Sequence, residues 1–175
     1  NIPENSNGPF PQKIAQVRIH DKSKKVSYSI SGPGADQDPL NIFTVDKDTG
    51  DLYVTQRLDR EKQHSYSMLV KAVAEDGLAT EDPIQIVINV IDMNDNKPAF
   101  TEDVFAGEVV ESSPIGTVKV TATDLDEPGS DNSIIRYSIE SQEPQESNSS
   151  MFTINPVTGV ISVGALGLDS EVRLF

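Results

Sequence analysis

The segment Val90-Ile-Asp-Met-Asn-Asp-Asn-Lys-Pro-Ala-Phe100 leaves an apolar run for five residues rich in carboxylates and amides, then meets a proline that stiffens its exit. Such oxygens suit a hard cation: Ca²⁺ takes about six to eight of them, at roughly 2.3–2.6 Å, from carboxylates, amides and backbone carbonyls. An ordinary Asn/Asp-rich turn would turn the same residues on its own backbone. An EF-hand loop would use Asp92, Asn94 and Asn96 as its first three ligands. It fails here, because Lys97 stands where the turn needs Gly, Asp103 where a bidentate Glu is expected, and strands rather than helices flank it. The other solution is a site assembled from distant segments. In a β-sandwich the lead-in to the first strand, one inter-strand loop and the chain exit can meet at one pole. Glu4, Asp59 with Glu61, and Asn94 with Asp95 lie on those three segments. Further on, Asp124-Leu-Asp126 precedes a Pro-Gly bend leading to Asn132, and two Asp one residue apart point the same way in extended backbone.

Composition narrows the chemistry. Fourteen Lys+Arg against 28 Asp+Glu give a net charge of −14 over 175 residues, which repels nucleic-acid phosphates and anionic lipid. The absence of cysteine excludes a disulfide framework, a thiolate metal site and a cysteine nucleophile. His20 and His64 are too scattered for a transition-metal site. Paired carboxylates such as Asp124 and Asp126 could serve a glycosidase, but the sugar platforms that enzyme needs are missing: there is no Trp, and aromatics are only 6%. No apolar run approaches the roughly 20 residues of a membrane helix, and Asn1 begins no signal peptide, so a leader or anchor is expected outside this chain.

The elements that must position these groups come as two copies of one pattern. Tyr28-Ser-Ile30 recurs as Tyr137-Ser-Ile139, Phe43-Thr as Phe152-Thr, and Thr49-Gly50 as Thr158-Gly159, each 109 residues on. Leu58-Asp-Arg-Glu61 recurs as Leu168-Asp-Ser-Glu171, 110 residues on, and Glu4 and Glu111 lie near the starts of the copies. Within a copy the pattern is β. Ile14, Val17 and Ile19 lead into Val26–Ile30, the Asp46-Lys-Asp-Thr-Gly50 turn precedes Leu52–Val54, and two longer runs follow at Tyr66–Ala74 and Ile84–Ile91. Ile84, Ile86, Ile88 and Val90 share one face, the period of a half-buried strand. The second copy predicts strands at Val104–Val110, Gly116–Thr123, Ile134–Ile139, Phe152–Ile154 and Val160–Val163. Counterparts of the two long runs do not follow before Phe175, so the second copy is expected to be a truncated portion. The fold expected is all-β: tandem immunoglobulin-like Greek-key β-sandwich repeats.

Leu58-Asp-Arg-Glu61, Asp92-x-Asn-Asp-Asn96-x-Pro98-x-Phe100 and Asp124-x-Asp126 resemble the calcium motifs of cadherin extracellular repeats. Pro3-Glu-Asn5, Gly8-Pro-Phe-Pro11 and Ser29-Ile-Ser-Gly-Pro-Gly-Ala35 resemble the first repeat of type I cadherins of the epithelial and placental kind. The resemblance covers nearly the whole chain. It implies a first repeat over residues 1–100 and an incomplete second repeat over 101–175.

Position by position, the resemblance implies about three Ca²⁺ ions at the junction. Glu4, Asp59, Glu61, the Met93 carbonyl, Asp95 and Asp126 would hold two. Asn94, the Asn96 carbonyl, Asp124, Asp126 and the Asn132 carbonyl would hold the third, whose remaining family ligand is an Asp on a later strand not within this sequence. Glu111, Asp169 and Glu171 resemble half of the next junction. Family adhesion by exchange of the first strand, with a Trp docking in a partner's pocket, implies a Trp segment preceding Asn1, Ala72 at the floor of the receiving pocket, and Glu81 as partner of a free amino terminus. The family's His-Ala-Val tripeptide reads Lys71-Ala-Val73 here, with Lys71 read as a solvated strand residue. Asn148-Ser-Ser150 fits a glycosylation sequon. The function implied is calcium-dependent cell–cell adhesion at the extracellular face of the plasma membrane, at cell junctions. The partner would be another cadherin ectodomain, of the same protein. A heterophilic, desmosomal-like cadherin or a calcium-stiffened spacer is the alternative.

Overall fold

Short strands broken by Gly, Pro and Asn/Asp turns make up nearly all the regular structure of the computed structural model, which describes residues 1–20, 25–75, 77–78, 82–108, 118–143 and 151–163. In chain order these are β1 (Ile2–Pro3), β2 (Gln12–Gln16), β3 (Val26–Ser31), β4 (Phe43–Val45), β5 (Asp51–Val54), β6 (Ser65–Ala74), β7 (Ile84–Ile91) and β8 (Ala99–Phe100). There follow β9 (Val118–Lys119), β10 (Ala122–Thr123), one turn of 3₁₀-helix (Asp131–Ser133), β11 (Phe152–Ile154) and β12 (Val160–Val163). The chain divides into two compact units, Asn1–Met93 and Asn94–Phe175.

The first unit is a sandwich. One sheet runs in the order β1-β7-β6-β3 and the other β2-β5-β4; all pairings are antiparallel except β1 with β7. Period-two alternation dictates which faces meet. On β6, Tyr66, Met68 and Val70 are buried while Ser67, Leu69 and Lys71 face out, so Lys71 is a solvated strand residue. On β7, Ile88 and Val90 are buried and Ile86 half-buried. Ile84, expected on that inner face, is 45% exposed, because the strand begins there, past the edge of the core. Tyr66, Met68, Ile88 and Val90 meet Phe43, Leu52 and Val54 of the other sheet in one core, where Phe43 and Tyr66 stack edge to face at 5.1 Å, and Val70 joins a second cluster with Ile19 and Tyr28.

In the second unit β8 pairs with β10, and β9, β12 and β11 form a three-stranded sheet, all antiparallel. The strand expected at Gly116–Thr123 splits: residues 118–119 pair with β12 and residues 122–123 with β8. Neither Ile134–Ile139 nor the described part of Val104–Val110 forms a strand. A strand needs a laddered neighbour. In the first unit β3 pairs with β6 over its whole length, and among the described residues Ile134–Ile139 has no such partner.

The two units share one clamp, and it explains much of the sequence repeat. Asp46 Oδ1 accepts from Asp48 N and Thr49 N at 2.9 Å each, and Asn155 Oδ1 accepts from Val157 N and Thr158 N at 2.9 Å each. Each turn closes on a glycine in the left-handed region, Gly50 at φ +70° and Gly159 at φ +68°. A Cβ on Gly50 would stand 2.2 Å from the Val17 carbonyl oxygen, and one on Gly159 2.3 Å from that of Val120. Beside the turn, Tyr28 Oη accepts from Ile19 N at 3.3 Å, and Tyr137 Oη from Ala122 N at 3.0 Å. Those donors and acceptors lie nine residues apart in the first unit and fifteen in the second.

Candidate metal centre

In the first unit three chain segments converge on Glu4. Pairing of β1 with β7 continues through Glu4 N to the Ile91 carbonyl at 3.0 Å, and Asn5 N bonds the Leu58 carbonyl at 3.1 Å. The Glu4 side chain is fully buried. Its Oε1 accepts from Met93 N at 2.7 Å and its Oε2 from Arg60 N at 2.8 Å, so one carboxylate fastens the strand lead-in to both the Leu58–Glu61 loop and the β7 exit. Buried Leu58 anchors that loop in the core. Carboxylate oxygens of Glu4, Asp59 and Glu61 lie within 4.8 Å of one another. Lys62 bonds the Asp59 carboxylate at 2.7 Å through Nζ and at 3.0 Å through its backbone N, and holds it below its ordinary range.

Two participants lay outside the expected ligand set. Asp92, with a side chain only 4% exposed, bonds the Arg60 Nε, and Arg60 Nη2 bonds Glu61 Oε1 at 2.6 Å. Asp92 carried a legible signal: the period of two that turns Ile88 and Val90 inward continues to residue 92. The side-chain reach of Arg60 had none.

In the second unit the amides and carboxylates also gather. Asn96 donates to Asp126 Oδ1 through its backbone N at 3.1 Å and Nδ2 at 2.9 Å, and Nδ2 also reaches Asp95 Oδ1 at 2.7 Å. Asp124 Oδ1 accepts from Asp126 N at 2.9 Å. The 3₁₀ turn, capped by Ser130, presents the Asn132 carbonyl 3.4 Å from Asn94 Nδ2. Asp126 is fully buried, and its Oδ2 has no hydrogen-bond partner among the described residues. A buried carboxylate oxygen left without a donor is costly, and a cation satisfies it. The donor set is all hard oxygen, with neither sulfur nor imidazole, which fits Ca²⁺ rather than zinc or copper.

Ala72 lies half-buried on β6, packed beside Ile19, Tyr28 and Val70. Glu81, Glu111, Asn148, Asp169 and Glu171 lie outside the described residues.

Two successive all-β units with oxygen-rich loop clusters define the class: a tandem-repeat β protein with candidate hard-cation sites. The family follows from comparison. The Cadherin domain profile matches residues 1–91 and 105–173, and the chain belongs to the cadherin family. It is 47% identical to chicken Cadherin-1 over 172 residues and 49% identical to chicken Cadherin-2 over 174 residues, covering 96% and 98% of this chain and 19% of each relative. The chain thus spans about a fifth of the length of those relatives. Among solved structures it is similar to the human Desmocollin-1 ectodomain, with a TM-score of 0.86 and 41% identity, over 96% of this chain and 31% of that one. It is also similar to chicken VE-cadherin EC1-2, with a TM-score of 0.81 and 31% identity, over 98% of this chain and 81% of that one. Cadherins are calcium-binding cell-surface adhesion proteins with extracellular repeats, and they are not enzymes.

Proposed function

We propose that this chain belongs to the ectodomain of a calcium-dependent cell–cell adhesion receptor, homophilic through its first repeat, with Ca²⁺ stiffening the junction between repeats 1–100 and 101–175. The observation that carries this reading is the convergence of Glu4, Asp59 and Glu61 from distant segments to within 4.8 Å. Like charges gathered so closely repel, by about 3–4 kcal/mol per pair at an effective dielectric of 20 before screening, unless a cation joins them. About three ions are expected, on Glu4, Asp59, Glu61, Met93, Asp95 and Asp126 for two and on Asn94, Asn96, Asp124, Asp126 and Asn132 for the third. Because ligands from both repeats share ions, calcium sets how rigidly the first repeat is presented. Extracellular calcium modules bind at roughly 10⁻⁴–10⁻³ M. At ten times its dissociation constant each ion adds about 1.4 kcal/mol, a modest increment that becomes a switch when several act together.

Adhesion would use a pocket containing Ala72 and Glu81, with another copy of the protein as partner, at cell junctions and with a membrane anchor outside this chain. Asn148 is the proposed glycosylation site, and Glu111, Asp169 and Glu171 half of a further calcium junction. The likeness to the Desmocollin-1 ectodomain favours a heterophilic, desmosomal-like cadherin as the second reading. Calorimetric calcium titration with sedimentation tests these readings together. Cooperative uptake of about three ions with calcium-dependent self-association supports the homophilic receptor. Binding without self-association supports the second reading, and no binding at millimolar calcium refutes the calcium site.

A further inference from the structure

We propose that the Arg60 guanidinium, braced on Asp92, is a built-in counter-ion that competes with calcium for Glu61, so that Arg60 sets the calcium threshold of the first repeat and steadies that repeat when calcium is scarce. The inference rests on the calcium reading above.

Arg60 lies between Glu61 of the ligand loop and Asp92 at the β7 exit, and its two ends do separate work. Its backbone N–H donates to Glu4 Oε2 at 2.8 Å, a bond that any residue except proline could make here. Its side chain bonds Asp92 through Nε and Glu61 Oε1 through Nη2 at 2.6 Å. The three side chains are 12%, 4% and 20% exposed for Arg60, Asp92 and Glu61, so this is a partly desolvated ion triad. The neighbouring Lys62–Asp59 pair has its lysine side chain 82% exposed, where water and salt screen it. A fork-shaped guanidinium bridging two carboxylates supplies the positive charge that otherwise has to come from solution. A guanidinium and a divalent cation drawn to the same Glu61 carboxylate repel each other, so occupancy by one weakens the other. The second copy places Ser170 where the first has Arg60, and so carries no such counter-ion in its own Leu168-Asp-Ser-Glu171 motif.

The test compares the full chain with Arg60→Gln, Arg60→Lys and the control Lys62→Gln, by calorimetric CaCl₂ titration and by urea unfolding in EGTA. Arg60→Gln should lower the dissociation constant of one site about tenfold and lower the urea midpoint in EGTA. Lys62→Gln should change the dissociation constant less than about twofold. Arg60→Lys keeps the charge but loses the fork, and should tighten binding about threefold. That variant decides the matter if Arg60→Gln does not fold without calcium. Unchanged or weaker calcium binding in either folded Arg60 variant overturns the inference, since Arg60 would then be orienting the ligands. Wild-type chain that takes up no calcium refutes the calcium reading instead, before any variant is compared.

Discussion

Replacing Glu4 by Gln separates what its carboxylate does for the fold from what it does for the metal. The side chain is fully buried, and both oxygens accept backbone N–H groups, from Met93 at 2.7 Å and Arg60 at 2.8 Å. An amide can accept only one of those bonds, and its NH₂ faces the other donor, at a cost of about 2 kcal/mol. Against this, Gln removes a charge whose oxygens lie within 4.8 Å of those of Asp59 and Glu61. That repulsion is about 3–4 kcal/mol per pair before screening at an effective dielectric of 20. Lys62 and Arg60 already neutralise much of the charge on those two acids, which leaves a remainder of the same size as the lost hydrogen bond. The two effects should nearly cancel, so Glu4→Gln in EGTA is expected to stay within about 1 kcal/mol of wild type, or roughly 4–8 °C for a unit of this size. In saturating calcium the cancellation should end, because on the proposed ligand set the variant loses a group assigned to the first two ions. At about 1.4 kcal/mol per ion, the calcium-induced rise in Tm should fall by at least half. Differential scanning calorimetry in EGTA and in excess calcium measures both quantities. An undiminished calcium-induced rise would remove Glu4 from the ligand set. Unfolding of the variant in both buffers would show that the backbone bonds outweigh the repulsion and that the charge arithmetic is wrong.

Three further outcomes follow from the geometry. Gly50→Ala should destabilise the first unit by about 2–4 kcal/mol, since its Cβ would press on the Val17 carbonyl oxygen at 2.2 Å from a left-handed φ of +70°; urea unfolding checks this. The Asp46 carboxyl is held below its ordinary range by backbone bonds from Thr49 and Asp48, so the stability it contributes is present above the ordinary carboxylate range and lost as pH falls through its lowered folded value. Asp46→Asn should flatten that part of the acid dependence below about pH 4 without opening the turn, because Asn155 makes the same two bonds in the second unit. Asp126→Asn puts an amide where the buried Oδ2 has no hydrogen-bond partner among the described residues, and calorimetry should count fewer calcium ions per chain.

The parts of this protein governed by local chemistry were legible in its sequence. The alternation of Tyr66, Met68 and Val70, and of Ile86, Ile88 and Val90, gave the two long strands nearly to the residue. The Asp46–Gly50 segment and Thr158-Gly159 marked their turns, because an Asx bond and a positive φ need such residue types, whereas the Asn155 cap emerges only from the structure. Glu4, Asp59 and Glu61 could be grouped because the motifs carrying them are distinctive, and the fold does place them together. What depended on distant partners was less legible. Ile134–Ile139 alternates like a strand yet forms no ladder among the described residues, since period two records which face a residue shows and not whether a neighbour exists. Ile84 has the right parity and the wrong depth. Asp92 has the inward parity, but the bridge from Arg60 to it depends on a rotamer that no spacing rule fixes.

The tyrosine–glycine clamp has a consequence for how such repeats can diversify. The same closing bond spans nine residues in one unit and fifteen in the other, and the longer excursion carries Asp124, Asp126 and Asn132. By loop-closure entropy the six additional residues cost only about 0.5 kcal/mol, less than a single good hydrogen bond. The clamp therefore works as a hem beneath a replaceable loop. A lineage could lengthen, shorten or recharge what lies above it, gaining or discarding a cation site, while the sandwich beneath kept its register.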